Sequence, residues 1–306
     1  MASMSLMQHV LSAGQFDRET LEEIMAQAAD MEQIIANGGS DMARGKIMAT
    51  LFYEPSTRTR LSFEAAMLRL GGSIISETDV NFSSITKGEV LSDTARIVGG
   101  YADIIAIRSK TPGDAKIMAD YSGVSVINGG DGSAEHPTQA LLDLYTIKKH
   151  LPLGEKPLKV AFVGDLKYGR TVHSLCTLLR NFPQVEMHFM APELIHIPEK
   201  YFKEGDHKHT DLDPSVIADM DIVYDTRVQQ ERFERPADYD LVKDEFIFTA
   251  ELVKQMKANA ILMHPLPRVN EITHDVDDLP QAKYFEQAVN GVPVRMALIA
   301  RGLGLI

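Results

Sequence analysis

The chain of 306 residues has one cysteine, Cys176, so it can form no intrachain disulfide. A disulfide-stapled fold is excluded, and the scarcity fits a reducing compartment, with the cytoplasm as the expected location. No apolar run approaches the ~18 residues of a membrane span, so no membrane partner is expected. The N-terminus has no basic segment followed by a long apolar run, and no secretory leader is expected. Positive charge is in deficit. The formal net charge is −12, which argues against nonspecific nucleic-acid binding. Anionic ligands would have to be drawn by local arginines against the overall field. Low-complexity tracts and short-period repeats are absent. The segment Val163-Gly164-Asp165-Leu166-Lys167-Tyr168-Gly169-Arg170 links a predicted strand to a predicted helix without G-x-G-x-x-G spacing, which weakens a dinucleotide-cofactor reading.

What is present is ordinary globular material: 44% hydrophobic and 24% charged residues, in a length that suits two domains with separate cores. Asp17 is placed as a helix N-cap, with Phe16 and Leu21 set for a hydrophobic staple. Leu21, Ile24, Ala28, Met31 and Ile34 form one stripe, ended by Gly38-Gly39. Strands are expected at 47–53, 73–77, 103–108 and 124–128, with helical patterns between. His136 to His150 reads as a long helix, with Ala140, Leu141, Leu144 and Ile147 on one face. After the linker-like run Leu151 to Pro157, a second alternating set follows, with strands at 159–164, 185–190, 221–225 and 260–264. The alternation predicts an α/β protein of two doubly wound parallel-sheet domains. Ligands of such sheets sit beyond the carboxyl ends of the strands, so one site in the cleft between the domains is expected.

The most informative stretch is Phe52-Tyr53-Glu54-Pro55-Ser56-Thr57-Arg58-Thr59-Arg60-Leu61-Ser62-Phe63-Glu64. Pro55 stops a buried strand. From Arg60 the pattern turns helical, with Leu61, Ala65, Leu68 and Leu70 taken as the apolar face. Ser56 to Thr59 then occupy a helix N-terminus, where unpaired N–H groups and the dipole attract anions. Two hydroxyls and Arg58 add donors suited to phosphate oxygens. An N-capped surface helix that happens to carry arginines is the bland alternative. For S-T-R-T-R between strand and helix, the phosphate site is favoured.

This loop resembles the carbamoyl-phosphate loop of the transcarbamoylases. His136-Pro137-Thr138-Gln139, Gly164-Asp165-Leu166-Lys167-Tyr168-Gly169-Arg170-Thr171 and His264-Pro265-Leu266-Pro267-Arg268 are similar to segments of the aspartate branch, in order along nearly the whole chain. The resemblance implies transfer of a carbamoyl group from carbamoyl phosphate to L-aspartate, giving N-carbamoyl-L-aspartate and phosphate in pyrimidine synthesis, without cofactor or metal. It implies a carbamoyl-phosphate domain over 1–137, an aspartate domain over 138–290, and a terminal helix, 291–306, packing back on the first. It also implies ordered binding, domain closure and a homotrimer, with regulatory chains as possible further partners.

The same resemblance distributes the roles. Ser56, Thr57, Arg58, Thr59 and Arg108 hold phosphate, with Arg108 also at the carbonyl oxygen; His136 and Gln139 hold the carbamoyl group. His136 polarises the carbonyl oxygen as a hydrogen-bond donor rather than acting as general base. Arg170, Arg227 and Gln229 grip the aspartate carboxylates, where planar guanidinium forks suit two-point pairing. Carbonyls of Leu266 and Pro267 accept from the carbamoyl NH2 and the incoming amine. Ser83 and Lys87 enter the neighbouring subunit's site, although Thr86 stands where the family often has a second lysine. Arg58, Thr59, Lys87, Arg108 and His136 form the expected catalytic set. Alone, Arg108 would be a solvated strand end, His136 a structural histidine and Arg227 a surface charge.

There are three rivals, the nearest within the same family and two of other classes. An ornithine transcarbamoylase is disfavoured by Arg227, Gln229, Lys87 and Pro265, since that branch usually has cysteine after the histidine. A nucleotide-dependent oxidoreductase lacks its glycine fingerprint. A nonenzymatic anion-binding regulator would not need ligands for two substrates.

Overall fold

The computed structural model describes residues 9–77, 87–132 and 135–306. The chain divides into two compact units, Met1–Leu142 with Val289–Ile306, and Asp143–Ala288. Unit 1 holds a parallel sheet of β1 (Ile47–Phe52), β2 (Ser73–Glu77), β3 (Ile104–Ser109) and β4 (Ser125–Asp131), ordered β2-β1-β3-β4. Its helices are α1 (Arg18–Ala36), α2 (Thr57–Arg69), α3 (Leu91–Gly99), α4 (Asp114–Ser122) and the start of α5 (Pro137–His150). Every residue of β3 is buried, as expected of an inner strand covered on both faces, whereas the edge strand β2 is mostly exposed. Asp17 caps α1 by accepting from the Thr20 amide at 2.9 Å.

The expected apolar face of α2 needs correction. Of the residues expected there, Leu70 is buried, but Leu61 and Leu68 are 50% and 56% exposed, and Phe63, Ala66 and Met67 are buried instead. Both sets recur at helical spacing, and β1 and β2 select the second. The helix is tied down by Glu64, whose Oε1 accepts from Thr50 Oγ1 at 3.1 Å and Ser76 Oγ at 2.9 Å.

Unit 2 is a five-stranded parallel sheet of β5 (Leu158–Gly164), β6 (Val185–Met190), β7 (His207–His209), β8 (Ile222–Thr226) and β9 (Ile261–Met263), ordered β7-β6-β5-β8-β9. The helices that follow α5 are α6 (Arg170–Leu179), α7 (Pro214–Ala218), α8 (Pro236–Asp240), α9 (Ala250–Val253) and α10 (Tyr284–Gly302), whose last turns belong to unit 1. Both sheets therefore reverse strand order beside their first strand: between β1 and β3, and between β5 and β8. Such switch points open a crevice at the strands' carboxyl ends.

One core residue of unit 2 is out of character. Asp225 lies two residues after Val223 on β8, and so on the strand face that packs into the apolar cluster with Phe246, Phe248, Val253 and Leu262. It is fully buried, and among the described residues neither carboxyl oxygen has a partner in good hydrogen-bond geometry. Burial, with a smaller push from the Glu271 charge, raises its pKa well above 3.8; the Thr226 N–H only partly offsets this. A raised carboxyl pKa means the native state binds the extra proton. Stability is then lost as pH rises from about 4 towards the native pKa. Asp225→Val should stabilise the protein at pH 7 by at least about 1–3 kcal/mol, the cost of a buried unsatisfied group. The gain should shrink as pH falls towards 4. Urea unfolding at the two pH values measures this, and a variant no more stable than the parent at pH 7 would refute it.

Candidate functional site

In unit 1, β1 ends at Phe52 and α2 begins at Thr57. Ser56 is the N-cap in extended conformation, yet its hydroxyl makes no capping hydrogen bond. The first intrahelical bond runs from the Arg60 amide to the Ser56 carbonyl at 3.1 Å. The N–H groups of the preceding turn and the hydroxyls of Ser56 and Thr57 are thus placed for an external acceptor. The two arginines of the motif part company. Arg60 pairs with Glu64 at 3.5 Å, while Arg58 is exposed and has no carboxylate partner among the described residues. Partial burial lowers the Arg58 pKa from 12.5, and the group stays a cation at neutral pH.

The next strand brings a second arginine to the same end of the sheet. Phe52 pairs with Arg108 across β1 and β3, and Arg108 is only 8% exposed. Its Nη1 donates to the Gly129 carbonyl at 3.1 Å and stands 3.3 Å from His136 Nε2. Its Nε forms a 3.2 Å ion pair with Glu54. An arginine can only donate. A hydrogen bond between these side chains therefore makes Nε2 the acceptor and puts the proton of a neutral His136 on Nδ1. Gly129 packs its backbone closely on β3: a Cβ there would meet the Ile107 carbonyl oxygen at 3.2 Å. His136 precedes α5, and Gln139 lies one turn on, its amide donating to the His136 carbonyl at 3.0 Å. Lys87 is exposed at the edge of the described residues; Ser83 and Thr86 lie outside them.

In unit 2, β5 and β8 deliver two further arginines. Gly169 caps α6, and a Cβ there would lie 2.4 Å from the Asp165 carbonyl oxygen, so the tight turn before Arg170 requires glycine. Asp165 is fully buried and accepts from the amides of Tyr168 at 3.0 Å and Gln229 at 3.2 Å. Burial raises its pKa, opposed by those amides and by Arg227. One carboxylate thus joins the loop after β5 to the loop after β8. Half-buried Arg227 meets Glu231 in two-point geometry, at 2.5 and 3.2 Å. The Glu231 hydrogen bond, opposed by burial, raises its pKa.

The turn after β9 is held from within. His264 Nδ1 accepts from the Leu266 amide at 2.9 Å, so Nε2 carries the proton and donates to Glu271 at 2.9 Å. Burial lowers the His264 pKa against the pull of Glu271. Glu271 in turn accepts from the amides of Val269 and Asn270. Leu266 adopts φ +48° ahead of a cis bond to Pro267. Arg268, the last residue of the motif, is spent on Asp277 and Tyr284 and reads as structural.

Ser56, Thr57, Arg58 and Thr59 thus share one helix start, and Arg108 touches His136. Arg170, Arg227 and Gln229 follow the two strands of the unit 2 switch point. The acidic partners Glu54, Asp165, Glu231 and Glu271 had no assigned role in the sequence reading. Only the Arg227–Glu231 spacing of four residues could have signalled one of them.

The family model described as "Aspartate/ornithine carbamoyltransferase, carbamoyl-P binding domain" matches residues 8–149, and that described as "Asp/Orn binding domain" matches residues 156–301. An aspartate carbamoyltransferase catalytic subunit of Methanococcus maripaludis is 49% identical over 296 residues, covering 96% of this chain and 97% of the relative. The solved catalytic subunit of M. jannaschii aspartate transcarbamoylase has a TM-score of 0.88 at 47% identity, covering 97% of this chain and 98% of that one. The Trypanosoma cruzi aspartate transcarbamoylase in complex with carbamoyl phosphate and aspartate has a TM-score of 0.88 at 36% identity, covering 96% of each chain. The chain belongs to the aspartate/ornithine carbamoyltransferase family.

Proposed function

We propose that this chain is the catalytic subunit of an aspartate carbamoyltransferase, making N-carbamoyl-L-aspartate and phosphate for pyrimidine synthesis. The observation that carries this reading is the helix start of unit 1. Among the described residues, its hydroxyls, N–H groups and Arg58 guanidinium have no carboxylate partner, beside the Arg108–His136 pair. Ser56, Thr57, Arg58 and Thr59 hold the phosphate of carbamoyl phosphate. Arg108 and the ring N–H of His136 donate to the carbonyl oxygen, while Gln139 and the Leu266 carbonyl orient the carbamoyl NH2. Arg170, Arg227 and Gln229 hold the carboxylates of aspartate, and the Pro267 carbonyl directs its amine.

The amine nitrogen attacks the carbonyl carbon, and charge builds on the oxygen facing Arg108 and His136. Donors arranged in advance for that charge contribute about 3–4 kcal/mol each. The carbon–oxygen bond to phosphate then breaks, and the phosphate takes up the amine proton. Placement of the two reactants contributes roughly 7–11 kcal/mol more. The test is to offer carbamoyl phosphate with aspartate or with ornithine and identify the product by mass. Carbamoyl-aspartate is expected; carbamoyl-ornithine, or no product, would overturn the reading.

The working form is a homotrimer, with Ser83 and Lys87 serving the neighbouring site. Leu61 and Leu68 on α2 and Ile75 on β2 support this as large apolar side chains left exposed in unit 1. Homotrimers of Arg58→Ala or of Lys87→Ala should both be nearly inactive. Subunit exchange between them should restore one native site per mixed trimer, with Arg58 from one chain and Lys87 from its neighbour. Verified mixed trimers that stay inactive would show that Lys87 does not act across an interface.

A further inference from the structure

On the outer strands β6 and β7 of the unit 2 sheet, four histidine and glutamate side chains converge. Glu186 and His188 are two apart on β6, as are His207 and His209 on β7, so each pair points to one face. The strands are parallel, with His188 opposite His207 and Met190 opposite His209, so both pairs share the same face. Glu186 Oε1 lies 2.8 Å from His188 Nε2 and 3.2 Å from His207 Nε2. The rings of His188 and His207 stack at 4.4 Å. Among the described residues Glu186, His188 and His207 are the one group of three whose ligating atoms all lie within 4.8 Å of one another.

We propose that Glu186, His188 and His207 form a site for one divalent transition-metal ion of the zinc class, with His209 behind it. Two imidazoles and a carboxylate are a donor set that zinc accepts, with water in the fourth position. Ligands about 2.0–2.1 Å from a tetrahedral ion stand about 3.3–3.4 Å apart, so the two spacings to Glu186 need only a small expansion, while the stacked rings of His188 and His207, 21° apart, must turn to bring both Nε2 lone pairs onto the ion. The outer shell is also present. His188 Nδ1 lies 3.1 Å from His209 Nε2, which orients the ring of the most buried ligand, and the His209 carbonyl lies 3.2 Å from His196 Nε2. Lys159 stands 4.0 Å from Glu186, but its ammonium is engaged by Asp219 at 2.6 Å. His207 and Glu186 are partly exposed, which gives the ion a path in. The site lies on β6 and the edge strand β7, whereas Asp165 and Arg227 follow β5 and β8 at the switch point. Its effect is therefore on the attachment of β7, a three-residue edge strand, and not on turnover.

The test is calorimetric titration of the tag-free, chelator-treated full chain with zinc, with magnesium as a hard-ion control, alongside thermal unfolding. Cys176 does not compete, being buried with its thiol pushed up to about 11. One saturable zinc site per chain and a higher unfolding midpoint with zinc are expected, with neither effect from magnesium. His209→Ala should weaken zinc about 10–100-fold. His207→Ala should abolish the site while leaving turnover unchanged, as should Glu186→Gln if that variant folds. The proposal is overturned if the parent shows no saturable zinc binding, or if His207→Ala binds zinc as the parent does.

Discussion

Arg58→Ala should lower turnover by about 10²–10³-fold, the loss found when one donor to a developing charge is removed. The size follows from what surrounds the side chain. Arg58 is exposed and has no carboxylate partner among the described residues, so its truncation leaves no buried charge behind and opens no cavity. Thermal unfolding should hardly move. Arg60, two residues on, is the control: it pairs with Glu64, itself fastened to Thr50 and Ser76. Arg60→Ala should cost mainly stability, by less than about 1 kcal/mol for a partly exposed pair. Steady-state rates and urea unfolding of both variants separate the roles. Near-normal turnover in folded Arg58→Ala would sink the phosphate assignment.

Arg227→Ala should raise the aspartate requirement sharply and leave carbamoyl-phosphate binding nearly unchanged. One hydrogen bond to a charged group is worth roughly 1.5–3 kcal/mol. In kcat/KM for aspartate that is about 10- to 150-fold, and two-point pairing takes it higher. The fold should tolerate the change, because the abandoned Glu231 is more than half exposed and can hydrate. Saturation curves for each substrate provide the measurement. A variant that loses carbamoyl-phosphate affinity but responds normally to aspartate would reverse the assignment of Arg227.

The strands that build both switch points could be read from the chain because inner strands of parallel sheets are buried on both faces. Ile104 to Ile107 and Val160 to Val163 leave no other economical conformation. β7 escaped because His207-Lys208-His209 is polar throughout and becomes a strand only by pairing with β6. The α2 face was misread for a different reason. Leu61 and Leu68 obey the helical period as well as Phe63 and Met67 do, and only the sheet beneath decides between them. At the candidate site, the arginines stood out because each stands at or just beyond the carboxyl end of a strand. Their carboxylate neighbours did not, since the Glu54–Arg108 and His264–Glu271 contacts depend on where loops return. Asp225 was equally illegible: a single acid in a strand reads as solvent-facing until the second layer of core is in place.

The Glu231 contact bears on how quickly and how rigidly Arg227 can receive a dicarboxylate. A free arginine side chain samples many rotamers, and freezing them costs about 2 kcal/mol. Here Glu231 restrains the guanidinium through Nη1 and Nη2. Two-point contact with one carboxylate uses two of the five N–H donors, so the edge carrying Nε remains for another acceptor. The entropy loss then falls on folding rather than on each binding event. Shortening Glu231 to Ala would return that disorder to Arg227: aspartate would meet the same charge, but on a tether that must be immobilised anew at every turnover.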